Sequence, residues 1–290
     1  MPSTREIRRR IRSVKSTEQI TRAMEMVAAS RMKRAQAQAL AGRPYAMKMV
    51  ELLRDLVSHP LPSNDVAHPL LQARPIKSVA AILISSDRGL AGGYNAHIIQ
   101  RAASFVLQQA VPVGLVTVGR KGRDWMLRRG QKVLADFSGM SDRPTILDVA
   151  PLAAFVMDGF TRGEFDEVRI FYTRFVSATR QQPEEQVLLP VQSVVADGEV
   201  AREGEYIYEP SPEAVLAALL PRYIETEIYH AILEAIASEQ SARMMAMHNA
   251  TQSAGDIVRE LTLNYNKARQ AGITSELLEI AAGAEALTRG

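Results

Sequence analysis

The sequence predicts an α/β fold with long helices, in which an N-terminal and a C-terminal helix pair as an antiparallel coiled coil around an inserted α/β domain. Three observations carry this. Apolar residues recur at helical spacing through residues 4–57 and again through 211–288. Between them, residues 77–210 switch to short apolar runs alternating with helix-like stretches. Helices that long are not stable alone in water, and two at opposite ends of one chain have each other as the simplest partner.

The N-terminal helix carries Ile7, Ile11, Val14, Ile20, Met24, Val27, Met32, Met49, Leu53 and Leu56 on its apolar stripe. Ser3 or Thr4 can cap its start, with Glu6 in the first turn. Gly42 and Pro44 are its only breakers and predict a kink or a short break, because Pro44 has no N–H for the helix ladder. At ~1.5 Å per residue the element would reach roughly 80 Å. Residues 58–76 are rich in proline and polar groups and read as a loop.

The insert opens with SVAAILIS (78–85), a run typical of a buried strand; VPVGLVTVG (111–119) and EVRIFYTRF (167–175) are others. Helix-like stretches lie near 95–109, 121–129 and 145–162. This alternation predicts a βαβ-type, Rossmann-like sheet. QVLLPVQSVV (186–195) and EYIYEP (205–210) read as further strand or edge pieces.

Ser211 followed by Pro212 announces the last helix, as a cap followed by a first-turn proline. Leu216, Leu220, Ile224, Ile228, Ile232 and Ile236 then recur every four residues, and Met244, Met247, Ile257, Leu261, Ala268, Leu277 and Ile280 continue an apolar face. Breakers are sparse, and the element could exceed ~100 Å. Small residues on both helices (Ala28, Ala29, Ala35, Ala37, Ala242, Ala246, Ala250) allow close packing, and the methionines around them give adaptable contacts. The segments are therefore 1–57, 58–76, 77–210 and 211–290.

Composition sets bounds on chemistry. The 290 residues are 47% hydrophobic and 23% charged, ordinary for a globular protein. Without cysteine, disulfides, thiolate nucleophiles and sulfur-based zinc sites are excluded. No run of ~18 apolar residues predicts a membrane span. The net charge of +3 hides an asymmetry: residues 1–57 hold 13 Lys/Arg and 5 Asp/Glu, whereas residues 212–290 hold 6 and 10. The two ends can attract one another.

No motif announces an active site. SSDRGLAGGYN (85–95) follows a strand and precedes a helix, so its glycines could bring backbone amides to a phosphate. Its spacing is neither GxGxxG nor that of a P-loop, and a bare turn is the simpler reading. GRKGR (119–123) with Arg128 and Arg129 forms a basic cluster that suits a phosphate, a nucleic acid or simply water. The five histidines form no i, i+4 pair and no HExxH. REIRRRIR (5–12) suits an acidic protein partner, DNA or an anionic membrane.

Several stretches resemble one family. ITRAMEMVAASRMKRAQ (20–36), ASEQSARMMAMHNAT (237–251), LNYNKARQAGITSELLEIAAGAEA (263–286), SSDRGLAGGYN and EYIYEP are similar, in order and spacing, to the signatures of gamma subunits of F-type ATP synthases. The resemblance implies a central rotor shaft that transmits torque between a membrane c ring and a catalytic hexamer, coupling proton flow to ATP synthesis. It implies no catalytic, cofactor or metal residue on this chain. Partners would be the alpha and beta subunits, the epsilon subunit and the c-subunit ring, without nucleic acid. The location would be the cytoplasmic face of a bacterial inner membrane, reached only through the c ring. Carried over by motif, Met24, Arg243, Arg269, Gln270, Thr274 and Glu276 fall in the region contacting beta, and Tyr206, Tyr208 and Glu209 in the foot near the c ring. Two departures stand out: Ala91 replaces a cysteine of some members, and ATRQQPEEQ (178–186) is more charged than its counterpart. Read without the resemblance, the residues leave open a coiled-coil adaptor or nucleic-acid binder with a basic arm, and a nucleotide-using enzyme built on the 77–210 sheet.

Overall fold

Two compact units make up the chain, one of Ala28–Arg243 and one of Met1–Val27 with Met244–Gly290. The structure, a computed structural model, describes residues 3–58, 68–191, 206 and 208–288, with the side chains of 283 and 285–288 excepted. Both units draw on the same two helices, α1 (Thr4–Ser58) and α5 (Pro212–Thr288). The expected caps are present. Ser3 Oγ accepts from the Glu6 N–H at 3.3 Å and Ser211 Oγ from the Ala214 N–H at 3.3 Å.

The larger unit is built on a five-stranded sheet in the order β3-β2-β1-β4-β5. Its strands are β1 (Val79–Ile84), β2 (Val113–Val118), β3 (Val133–Asp136), β4 (Glu167–Ser177) and β5 (Arg180–Leu189). β1 pairs parallel with β2 and β4, β2 pairs parallel with β3, and β5 is an antiparallel edge on β4. The crossovers are α2 (Tyr94–Gln108), α3 (Arg120–Leu127) and α4 (Ile146–Thr161). Thr145 and Asp148 close a capping box on α4 at 2.7 and 2.9 Å, and those bonds hold the Asp148 carboxyl below its usual range.

β1 is buried on both faces, which is why it reads as a continuous apolar run. Val79, Ala81 and Leu83 face Ile98, Ala102 and Phe105 of α2 with Met126 of α3. Ala80, Ile82 and Ile84 face the opposite layer, where α4 (Leu152, Val156, Phe160) meets α1 and α5. Met49, Leu53 and Leu56 of α1 and Leu216, Leu220, Ile224, Ile228 and Ile232 of α5 are all buried there. The long helices are thus structural parts of the α/β core.

Three expectations change. α1 passes through Pro44 without ending. Leu40, whose carbonyl loses its donor, is exposed, so water can take that carbonyl. Gly42 faces the His230 ring so closely that a Cβ would lie 2.8 Å from it, so the glycine serves packing against α5. Strand β3 had no sequence signal, being four residues long and only half-buried. β5 starts at Arg180, earlier than expected, and carries Pro183 inside it, which an edge strand tolerates. The rest of the expected 186–195 strand, from 192 on, lies outside the described residues, as do 205 and 207 of EYIYEP; Tyr206 and Tyr208 are not in a strand.

In the smaller unit the helices run antiparallel on a 3.5-residue repeat. α1 offers Ile7, Ile11, Val14, Glu18 and Thr21, and α5 offers Met247, Thr251, Ala254, Val258, Leu261, Tyr265 and Ala268, spaced alternately by four and three. This repeat imposes a left-handed supercoil. Ile20 and Val27, counted on the stripe from sequence, fall off the repeat and are exposed.

Candidate functional site

The Gly-rich turn after β1 occupies the place where open α/β sheets usually bind ligands, beside the strands at which the winding direction reverses. Here that place is filled by the chain itself. Asp87 Oδ1 accepts from the Arg120 N–H at 3.0 Å, Ser86 O from the Lys121 N–H at 3.0 Å, and Ser85 Oγ from the Gly122 N–H at 2.8 Å. The free donors that would make the α3 N-terminus an anion cradle are already used. Gly119 makes this approach feasible: its φ is +96°, and a Cβ there would sit 2.0 Å from Ser85 O. The basic cluster is also engaged internally. Arg123 pairs with Asp136 and Asp124, each at 2.9 Å, and Arg129 stacks 3.5 Å from the Trp125 ring centre.

The turn's outward side meets α5. Leu90 and Gly92 adopt positive φ, and Arg243 Nη2 donates to Gly89 O at 3.2 Å while pairing with Glu239 at 2.6 Å. Tyr94 is buried next to both, and burial pushes its hydroxyl pKa well up. Burial also raises the Glu239 carboxyl, with Arg243 opposing. Arg243 is itself buried, so within this unit it acts as a latch between α5 and the turn.

The foot residues pack on α1. Lys48 Nζ donates to the Tyr206 hydroxyl at 2.6 Å, and that hydroxyl donates to Glu51 at 2.9 Å. Tyr208 donates to Asp55 at 2.6 Å. Burial and the Asp55 bond raise the Tyr208 pKa, and the Glu51 and Tyr206 bonds raise that of Lys48. The two tyrosine rings stand 6.1 Å apart. Their hydroxyls hold Tyr206 and Tyr208 against α1, while Glu209, just before a cis proline, is exposed.

In the smaller unit, Thr21 and Thr251 meet hydroxyl to hydroxyl at 2.7 Å, His248 lies 3.0 Å from Glu25, and Arg8 donates to Tyr265 at 2.7 Å. Gly255 opens a groove of about 690 Å³ near Arg22, Asp256 and Arg259. Met24 is half-buried beside this seam. Beyond Ala268 the seam ends. Every described side chain from Arg269 to Ala284 is exposed, including Arg269, Gln270, Thr274 and Glu276 and the apolar Ile273, Leu277, Leu278 and Ile280. The Thr274 hydroxyl bonds back to Gln270 O at 2.9 Å, within its own helix. Sequence reasoning located these residues but missed the Thr21–Thr251 pair, which the 3.5-residue repeat through Ile7, Val14 and Thr21 could have found. Among the described residues, no group of three or more His, Cys, Asp or Glu could hold a metal ion, and no helix is long and apolar enough to cross a membrane.

Comparison with known proteins agrees along the whole chain. A family model described as ATP synthase matches residues 3–287. The ATP synthase gamma chain of Dehalococcoides mccartyi strain CBDB1 is 50% identical over 287 residues, covering 99% of this chain and 100% of the relative. That of Roseiflexus castenholzii is 48% identical over 291 residues, covering 99% of each. Among solved structures, a chain in the central stalk/c-ring of the Tetrahymena thermophila mitochondrial ATP synthase is similar at TM-score 0.61 and 28% identity, covering 80% of this chain and 99% of that one. A chain of the Euglena gracilis mitochondrial ATP synthase (OSCP/F1/c-ring) shares the fold at TM-score 0.68 and 18% identity, covering 98% and 94%.

Proposed function

The chain belongs to the ATP synthase gamma chain family, and from that premise we propose that it is the central rotor shaft of an F-type ATP synthase. It transmits torque between a membrane c ring and an alpha/beta hexamer and catalyses nothing itself. The full-length match at 50% identity to a gamma chain carries this reading.

The bare end of α5 is what the role needs. At ~100° per residue, Arg269, Ile273, Glu276 and Ile280 share one face, Gln270, Thr274 and Leu277 the next, and Gly272 and Glu279 another. A surrounding ring of three beta subunits meets different chemistry in each direction. Each beta conformation is then favoured by the face it meets, and turning the shaft redistributes those preferences. Met24, Arg269, Gln270, Thr274 and Glu276 are the proposed contacts to beta. Arg243 contributes by latching α5 to the Gly89 turn. Glu209 is the proposed polar contact at the c ring, with Tyr206 and Tyr208 fixing its segment on α1. The epsilon subunit joins the same assembly. In terms of roles, 1–57 and 211–290 form the shaft, 58–76 the link, and 77–210 the head. The assembly places the chain peripherally on the cytoplasmic face of a bacterial inner membrane.

Deleting residues 265–290 tests the contact assignment. In the whole synthase, reconstituted in vesicles with all its other subunits, ATP hydrolysis persists while ATP-driven proton pumping falls by more than half. Pumping at the intact level refutes the roles of Arg269, Gln270, Thr274 and Glu276.

A further inference from the structure

Where the β4–β5 hairpin meets α5, all within the Ala28–Arg243 unit, a row of polar bonds adds to the apolar packing. Ser238 Oγ donates to Thr173 O at 2.9 Å and Ser241 Oγ to Ala178 O at 2.6 Å. Gln181 Nε2 donates to Ser241 Oγ at 3.2 Å, and Gln186 Nε2 to Glu227 at 3.3 Å. Residues 227, 234, 238 and 241 are seven, four and three apart, so they form one row along the helix.

Glu234 sits inside this row. Its carboxyl accepts the Phe175 backbone N–H, yet its Oε2 is shut off from solvent with no hydrogen-bond partner. A buried carboxylate oxygen without a donor is costly, whereas the same oxygen carrying a proton is itself a donor. On β5, Glu184 Oε2 is also buried without a hydrogen bond, although Arg174 Nε lies 2.9 Å away as an ion pair. A proton on Glu234 gives its buried oxygen a donor and removes one of two negative charges at this seam.

We propose that Glu234 carries a proton when the hairpin is docked, and that losing this proton as pH rises loosens the β4–β5 hairpin from α5. Charged and titratable groups surround Glu234 from several elements. Arg174 and Tyr172 come from β4, Glu184 from β5, Arg43 from α1, and Glu227 and His230 from earlier turns of α5. Burial first, then the Glu184 charge, push the Glu234 carboxyl above its ordinary value; Arg174, the Phe175 N–H and Arg43 oppose them. A carboxyl whose folded-state pKa is raised contributes stability that is complete below its unfolded value and is lost as pH climbs through the folded one. The charged segment 178–186 thus acts as a proton-sensitive clasp on the helix.

Hydrogen exchange of the full chain between pH 5 and 9 tests this, with rates corrected for intrinsic base catalysis. In the wild type, protection of amides 177–189 falls with rising pH, by at most about tenfold per pH unit, the slope of a one-proton linkage. Protection of β1 stays flat. Glu234→Gln keeps a donor at the same place and flattens the hairpin profile. Glu184→Gln removes the opposing charge and shrinks its amplitude. An infrared carboxylic-acid band absent from Glu234→Gln reports the proton directly. A wild-type hairpin without pH dependence, or one whose dependence survives Glu234→Gln, overturns the proposal. Should Glu234→Gln fail to fold, an unchanged amplitude in Glu184→Gln together with no carboxylic-acid band in the wild type overturns it equally.

Discussion

In the Ala28–Arg243 unit, α1 and α5 are walls of an apolar core, with Leu53, Leu56, Leu220, Ile224 and Ile228 fully buried against a sheet and α4. In the other unit the same two helices are held by a narrower seam with a pair of threonines near one end, and beyond it α5 continues with every described side chain exposed. One stretch of each helix is fixed by burial; the end of α5 carries the exposed surface on which the proposed contacts to beta lie. Burial is therefore concentrated where the sheet is, and exposed surface where it is not.

The sharpest way to break this contrast is to cut the apolar wall. Leu53→Ala should lower unfolding stability by about 2–5 kcal/mol, the range for emptying a buried leucine site, read by urea denaturation. A loss near zero would mean that α1 is not part of the core. Next comes the threonine seam. Thr21→Val leaves Thr251 without its partner across the seam and should cost ~1 kcal/mol, because the Thr251 hydroxyl can still donate its one proton to Met247 O. The double change with Thr251→Val should cost less than the sum of the two singles, and additivity in a double-mutant cycle would argue against a coupled pair. Smallest is Leu277→Ala at the bare end, expected within ±0.5 kcal/mol in the isolated chain. A larger loss there would reveal a contact that sheds the contrast altogether.

Legibility from sequence followed the same division. The fourfold spacing from Leu216 to Ile232 and the run 79–84 were readable because burial is complete there and leaves one chemistry possible. β3 was not, because four half-buried residues carry no period. Pro44 left a kink or a break open from sequence, and the helix continues through it, with Gly42 packed on His230 and Met49 and Leu53 in the core. In the seam, the apolar stripe was scored by hydrophobicity, so Ile20 and Val27 were counted and Thr21 was passed over. The positions of Arg243 and the foot tyrosines came from motif resemblance. Glu239 lies one helical turn before Arg243 and is a local i,i+4 partner, but Gly89, Glu51 and Asp55 are far away in sequence, and no local pattern encodes them.

The uncovered end of α5 also bears on how such a chain is made. Ile273, Leu277, Leu278 and Ile280 leave a newly synthesised subunit with oily side chains in water, and surfaces of that kind attract one another. Overproduced without its companions, the subunit should clump through this end, and trimming those four side chains to serine should keep it dispersed while costing it its place in the machine.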